Sequence, residues 1–248
     1  SNVGNAAFND PFYGWIDNEQ IYFADRNTGI RRIGVNERNL ALSTSDAKYD
    51  YFVQNNRLEY YGNPWQYGAM NACFAKADGL WYWGKTYGGG GIFRFAESDI
   101  SPVDISRGTN PPYATIFPDE FVKSFVIDAT NQILYAVIRD KGLYAVPLTD
   151  ITANDATKTN TKAESKYLVA SFKSDSEGSV GEYVDVCQMV LDSTDGSVYF
   201  GLRAEEGSSE TSGVKRWNPT TKKLETIVSG VNVYGIAPVS YTHLTLPT

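Results

Sequence analysis

DGLWYWGKTYGGGGIFRF, residues Asp78 to Phe95, is the stretch that decides the fold. An Asp-Gly turn opens it, an aromatic run follows, a glycine-rich loop interrupts, and a second apolar run starts at Gly91-Ile92. Runs rich in aromatic and β-branched residues, punctuated by Asp and Gly, read as strands joined by hairpins. CFAKAD (Cys73 to Asp78) supplies a strand before the turn, and Tyr113 to Phe117 supplies one after the second run. The unit is therefore four strands, A to D, with a short A-to-B turn.

The same grammar recurs along the chain. FYGWID (Phe12 to Asp17) leads to Ile21-Tyr22 and then Gly29-Ile30-Arg31-Arg32. SFVID (Ser124 to Asp128) leads to Leu134-Tyr135 and Gly142-Leu143-Tyr144-Ala145, and MVLD (Met189 to Asp192) to Val198-Tyr199 and Gly213-Val214-Lys215-Arg216. Fourth strands are expected at Leu40 to Ser43, Tyr167 to Phe172 and Leu224 to Val228. A repeat of one supersecondary unit dictates the fold before any single element does. Four antiparallel strands per unit make a propeller blade, and no helical period persists for three turns. The reading is an all-β, partial β-propeller of four four-stranded antiparallel blades plus the start of a fifth, truncated. Blades are expected at about 10–48, 68–118, 120–173 and 182–230, with the fifth opening at about 231, where Tyr234-Gly235-Ile236-Ala237 echoes Tyr13-Gly14-Trp15-Ile16. YFVQNNRLEYY, within about 49–62, reads as an inserted hairpin, and Thr152 to Lys166 as a polar loop between strands C and D of the third unit.

Residues 239–248, VSYTHLTLPT, continue no pattern found upstream and resemble the translation of a sequencing-library adaptor over all ten positions. The natural sequence is expected to end near Ala237, inside a longer gene. His243, the only histidine, falls in that tail.

The stretch from Asp78 to Phe95 resembles the two-component-regulator propeller repeat, a D-G-x-L-W-x-G-T loop followed by G-L-x-R-aromatic. Asp195 to Gly201 with Gly213 to Trp217 is a looser match to the same pattern. The resemblance implies the fold over roughly 12–237. It also implies an extracytoplasmic ligand-sensing region ahead of a membrane segment and a kinase, and so a periplasmic or cell-surface location.

Composition removes several function classes. Across 248 residues, 42% hydrophobic and 21% charged, the chain can bury a core, and it has no run of about 18 apolar residues to span a membrane. A net charge of -7 without a basic run argues against nucleic acid. Histidine-dependent nucleophilic chemistry lacks its imidazole once His243 is set aside. Carboxylate-pair chemistry has candidates such as Asp25, Asp140, Glu205 and Glu206 in loops, with no spacing that singles them out. A propeller hydrolase or lyase would need residues from elsewhere, so the chain is read as leaning away from an enzyme, with no cofactor expected.

Asp17, Asp78, Asp128 and Asp192 recur one per unit, which suits turn bonding better than a shared metal, and no metal site is expected. Cys73 and Cys187 sit at equivalent positions of non-adjacent units, too far apart to bridge. Trp81 and Trp83 read as core. The Gly88 to Gly91 run precedes a strand rather than a helix, so it lacks the mechanism of a phosphate loop.

The one constellation pointing to binding comes from aligning strand B. Four residues after Tyr22, Trp81, Tyr135 and Tyr199 stand Arg26, Lys85, Arg139 and Arg203. A cation at the start of every B-to-C loop would ring one rim and suit a carboxylate- or sulfate-bearing ligand. The competing reading is that these cations pair with neighbours such as Asp25, Asp140 and Glu205, as weak surface pairs do. Tyr87 and Trp65, in Gly/Pro-rich loops, are added as exposed rings that stack on sugars. The expected partner is a glycan, a small anionic ligand or a protein, recognised without catalysis.

Overall fold

A computed structural model of the chain describes residues 11–25, 29–34, 50–53, 74–84, 91–99, 113–139, 141–151, 159–171, 185–203 and 212–237. Among the described residues seventeen strands form four sheets, and the helical residues are three short 3-10 turns. The first sheet runs β1 (Pro11–Asp17), β2 (Gln20–Asp25), β3 (Gly29–Gly34) and β4 (Asp50–Val53). The second contains β5 (Phe74–Ala77), β6 (Leu80–Gly84), β7 (Ile92–Ala96) and β8 (Tyr113–Ile116). The third contains β9 (Val122–Asp128), β10 (Ile133–Ile138), β11 (Gly142–Pro147) and β13 (Leu168–Ser171). The fourth contains β14 (Asp185–Leu191), β15 (Val198–Arg203), β16 (Gly213–Asn218) and β17 (Lys223–Ser229). All neighbours in these four runs pair antiparallel.

Two strands differ from the sequence reading. The fourth strand of the first sheet is Asp50–Val53, the opening of the run read as a hairpin, and it pairs with β3. The stretch 40–43 and the rest of the hairpin, 54–62, lie outside the described residues. The second difference is β12 (Thr159–Thr161), inside the segment read as a polar loop. It leaves the third unit and pairs parallel with β8, making the second sheet five-stranded. Its Thr-Asn-Thr composition hid it, because period-2 hydrophobic patterning marks buried strands and this strand bonds through its backbone at a sheet edge.

The third sheet shows why the strands read as continuous apolar runs. On β10, Leu134, Ala136 and Ile138 pack toward the second sheet, while Tyr135 and Val137 pack toward the fourth. A strand covered on both faces has no polar alternation. Trp81 and Trp83 are buried in the second sheet.

The recurrent glycine before strand C has a steric cause. Gly142 and Gly213 have φ of 146° and 138°, and a Cβ there would overlap the carbonyl oxygens of Ala170 and Val228 on the outer strand. Only glycine lets the C and D backbones approach so closely. Gly91 meets the Ile116 and Phe117 carbonyls in the same way.

The recurrent aspartates divide into two kinds. Asp128 accepts the Asn131 backbone N–H at 2.9 Å and its side-chain amide at 2.8 Å, and Asp192 accepts the Thr194 N–H at 2.9 Å. Those two close their own turns. Asp17 instead binds the Lys76 ammonium of the second sheet at 2.7 Å, and Asp78 accepts from Gln132 of the third at 2.9 Å. Lys76 also reaches Glu97 at 3.3 Å and lies 4.9 Å from the Trp81 ring. The aspartates thus serve as latches between units as well as turn residues.

Residues 232–237, where a fifth unit was expected to open, form no strand. They return to the fourth sheet, where the Val233 N–H donates to the Leu202 carbonyl at 3.2 Å. The segment 239–248 lies outside the described residues.

Candidate functional site

The end of each sheet that carries the B-to-C loop is fixed by the strand register. β10 ends at Ile138, and the next residue, Arg139, donates its backbone N–H to the Phe121 carbonyl at 2.9 Å. Phe121 lies just before β9, so the entry to strand A and the exit from strand B are tied side by side. The Arg139 guanidinium carbon then sits 5.7 Å from the Phe121 ring centroid. On the fourth sheet Arg203 ends β15, opposite Asp185 at the start of β14. Its guanidinium carbon lies 5.4 Å from the ring centroid of Tyr234, brought there by the Val233 bond to Leu202.

Arg139 and Arg203 therefore occupy the same end of two adjacent sheets, both half-buried, each against an aromatic ring. Stacking on a ring holds a guanidinium plane in place while keeping its charge. The two rings differ: Phe121 is half-buried and Tyr234 is 71% exposed. An exposed ring beside an arginine offers a stacking surface and a charge within one ligand's reach. Beside Arg139, Lys141 pairs with Glu120, so local cation charge there is partly offset. Burial raises the Tyr144 hydroxyl above its ordinary value, against the opposing pull of Lys141.

Four of the residues singled out from sequence, Arg26, Lys85, Tyr87 and Trp65, lie outside the described residues, as do Asp140 and Glu205. Tyr234, which stands beside Arg203, is not singled out by the strand B alignment. In sequence it is an aromatic shortly after the Ser229-Gly230 turn, in the stretch that leaves strand D.

The opposite end of the sheets carries a separate charge cluster. Arg216 donates to Ser197 at 3.0 Å, Asp195 at 2.6 Å and Glu225 at 3.3 Å, and lies 5.8 Å from the Tyr199 ring. The Asp195 carboxyl is held below its ordinary value by the Ser197 backbone N–H first and by Arg216 after it. These groups satisfy one another and close a turn. Among the described residues no group of three or more His, Cys, Asp or Glu could hold a metal ion, and no helix is long and apolar enough to cross a membrane.

No protein-family model matches the chain, and no curated protein matches it. Among solved structures it is similar to the extracellular domain of the putative hybrid two component system BT4673 from B. thetaiotaomicron, at 13% identity and a TM-score of 0.50. That likeness covers 88% of this chain and 25% of the other, so the chain spans about a quarter of that structure's length. It is also similar to a quinonprotein alcohol dehydrogenase-like protein (BT1487) from Bacteroides thetaiotaomicron VPI-5482, at 16% identity and a TM-score of 0.44, over 83% of this chain and 42% of that one. A third likeness, to the computationally designed Ika4 protein, has 9% identity and a TM-score of 0.40, covering 86% of this chain and 93% of that one. The sheets together with the first of these likenesses give the chain an all-β, β-propeller-type fold.

Proposed function

We propose that the chain is a non-enzymatic recognition module, four propeller blades in extent, that takes an anionic ligand on the rim carrying Arg139 and Arg203. The observation that carries this reading is the pair of arginine–aromatic stacks at one end of adjacent sheets, one of them built on an exposed tyrosine. A uronate- or sulfate-bearing glycan matches both parts, with a sugar face for Tyr234 and an acid for Arg203. Arg26 and Lys85 hold the aligned position, four residues after the strand B aromatic, in the first two units of the sequence.

The reading is tested by titrating acidic oligosaccharides against the wild type and against Arg203→Glu, Arg139→Glu and Tyr234→Ala. Binding weakened by about tenfold or more in Arg203→Glu, and weakened by added salt in the wild type, is the expected result. Equal affinity across all four proteins would overturn it.

A second reading places this module outside the cytoplasm, as the ligand-sensing region of a membrane-bound signalling protein. The likeness to the extracellular domain of a putative hybrid two component system supports it at the level of fold. Recovering the full reading frame decides this: a membrane-spanning segment followed by a signalling domain is expected, and a frame without one would remove the reading.

A further inference from the structure

The outer strands of the four sheets are unequal. β4, β8 and β13 are four residues long, and β8 is covered besides by β12. β17 is seven residues long, and among the described residues no strand pairs with its outer edge. An uncovered edge of that length presents a row of unpaired N–H and C=O groups, which proteins usually shorten, charge or cover. Here it carries two adjacent exposed β-branched residues, Ile227 at 50% and Val228 at 44%, with Val231 exposed just beyond.

The charge around this edge is opposite to that of the whole chain. Lys222 and Lys223 are exposed at its N-terminal end, and Lys215 on the neighbouring strand donates to the Thr226 hydroxyl at 2.6 Å. The nearby carboxylates, Glu225 and Asp195, are both engaged by Arg216. A protein of net charge -7 thus has a locally cationic, apolar strand edge.

The molecule also shows how such an edge is filled. β12 adds to β8 in parallel through three residue pairs, and the Phe117 N–H donates to the Thr161 carbonyl at 2.7 Å. We propose that β17 is a docking edge for an extended acidic segment of a partner protein, added parallel to β17 as β12 is to β8. Acidic residues at the segment's N-terminal end meet Lys222 and Lys223, and β-branched residues after them cover Ile227 and Val228. Backbone bonds along the strand supply affinity, and the charged end sets direction and register. This surface is separate from the arginine rim and stands whether or not that rim binds a glycan.

The test uses the full chain and a set of fluorescein-labelled synthetic peptides of about twelve residues. One has three aspartates followed by alternating threonine and valine, one has the same residues in reverse order, and one has lysine in place of aspartate. The acidic-first peptide is expected to bind best and to slow amide exchange along β17 but not along β4 or β13. Lys223→Glu alone should weaken it severalfold, Lys222→Glu with Lys223→Glu by about tenfold or more, and Ile227→Lys with Val228→Lys should abolish it. Circular dichroism melts of each variant separate lost binding from lost fold, and Lys223→Glu, at an exposed position, serves if a double variant does not fold.

No binding up to millimolar peptide, or binding indifferent to peptide direction and to both charge and apolar substitutions, would overturn the proposal. So would sedimentation showing that the chain self-associates and that Ile227→Lys with Val228→Lys makes it monomeric, since the edge would then belong to a second copy.

Discussion

The two interfaces of the third sheet are built differently. Toward the second sheet, apolar packing is reinforced by polar and backbone crossings. The Phe117 and Tyr144 rings meet edge to face at 5.4 Å, Gln132 reaches Asp78, and buried Arg94 donates to the Ile151 carbonyl at 3.5 Å. The strap that begins there pairs as β12 with β8 and returns to the third sheet, where Tyr167 bonds Asp150 at 3.0 Å. Toward the fourth sheet the interface is side-chain volume: Tyr135, Val137 and Leu143 against Met189, Phe200, Leu202 and Trp217, with the Met189 N–H donating to Ser124 Oγ at 3.1 Å. One seam is stitched by backbone and the other is held by fit. The first should tolerate loss of side-chain volume better than the second.

The largest effect is expected from emptying the second seam. Phe200→Ala removes a fully buried ring and should cost about 3–5 kcal/mol, read by chemical denaturation. Exchange should rise first in β14 to β17 while β5 to β8 stay protected; uniform loss across all four sheets would mean the seams are equivalent. Cutting the strap comes next. Replacing 155–163 with a short Gly/Ser linker should speed amide exchange in β8 by about tenfold or more and leave the β9–β14 contact unchanged. Unaltered β8 protection would show that the stitch adds nothing.

Ser124→Ala is smaller. It removes the acceptor of a buried N–H and should cost about 1–3 kcal/mol, measured at the seam that has least polar reinforcement.

Asp195→Asn is the smallest, since that carboxylate lies at an exposed position. Its pKa is lowered from an ordinary 3.8, so its stabilisation is present above that value and is lost as pH falls through the lower folded value. The gap in melting temperature between wild type and variant should therefore be widest at neutral pH and close toward strong acid. A gap that stayed constant with pH would separate the Asp195 contacts from its charge.

The inward strands were legible in the sequence because burial on both faces leaves an unmistakable mark: ILYAVI in β10, and Gly91, Gly142 and Gly213 before strand C, have steric causes that composition records. β12, Thr-Asn-Thr, was not, because it lies at a sheet edge where backbone bonds do the holding and side chains are free to be polar; the apolar run of β4 reads as a strand, but its sequence does not say that it pairs with β3 as the fourth strand of the first sheet rather than forming an inserted hairpin. The rim was half legible. Aligning strand B located Arg139 and Arg203, but their aromatic partners, Phe121 and Tyr234, arrive from other loops, and only the fold sets those loops beside strand B. The aspartates show the same limit. Their recurrence indicated turns, and nothing in the sequence distinguished Asp128, bonded within its own turn, from Asp17, bonded to Lys76 of the next unit.

The strap has a consequence for synthesis on the ribosome. The second sheet's outer strand is complete at Ile116, yet the strand that covers it, Thr159–Thr161, is encoded after three strands of the third unit. While the chain emerges, β8 must wait as an open edge until that later segment leaves the exit tunnel. Pausing of translation between these two points would prolong the state most prone to pair with the wrong strand. A gene rearrangement that deleted or duplicated the third unit would leave either β8 uncovered or two straps competing for it, so these repeats are bound to their order.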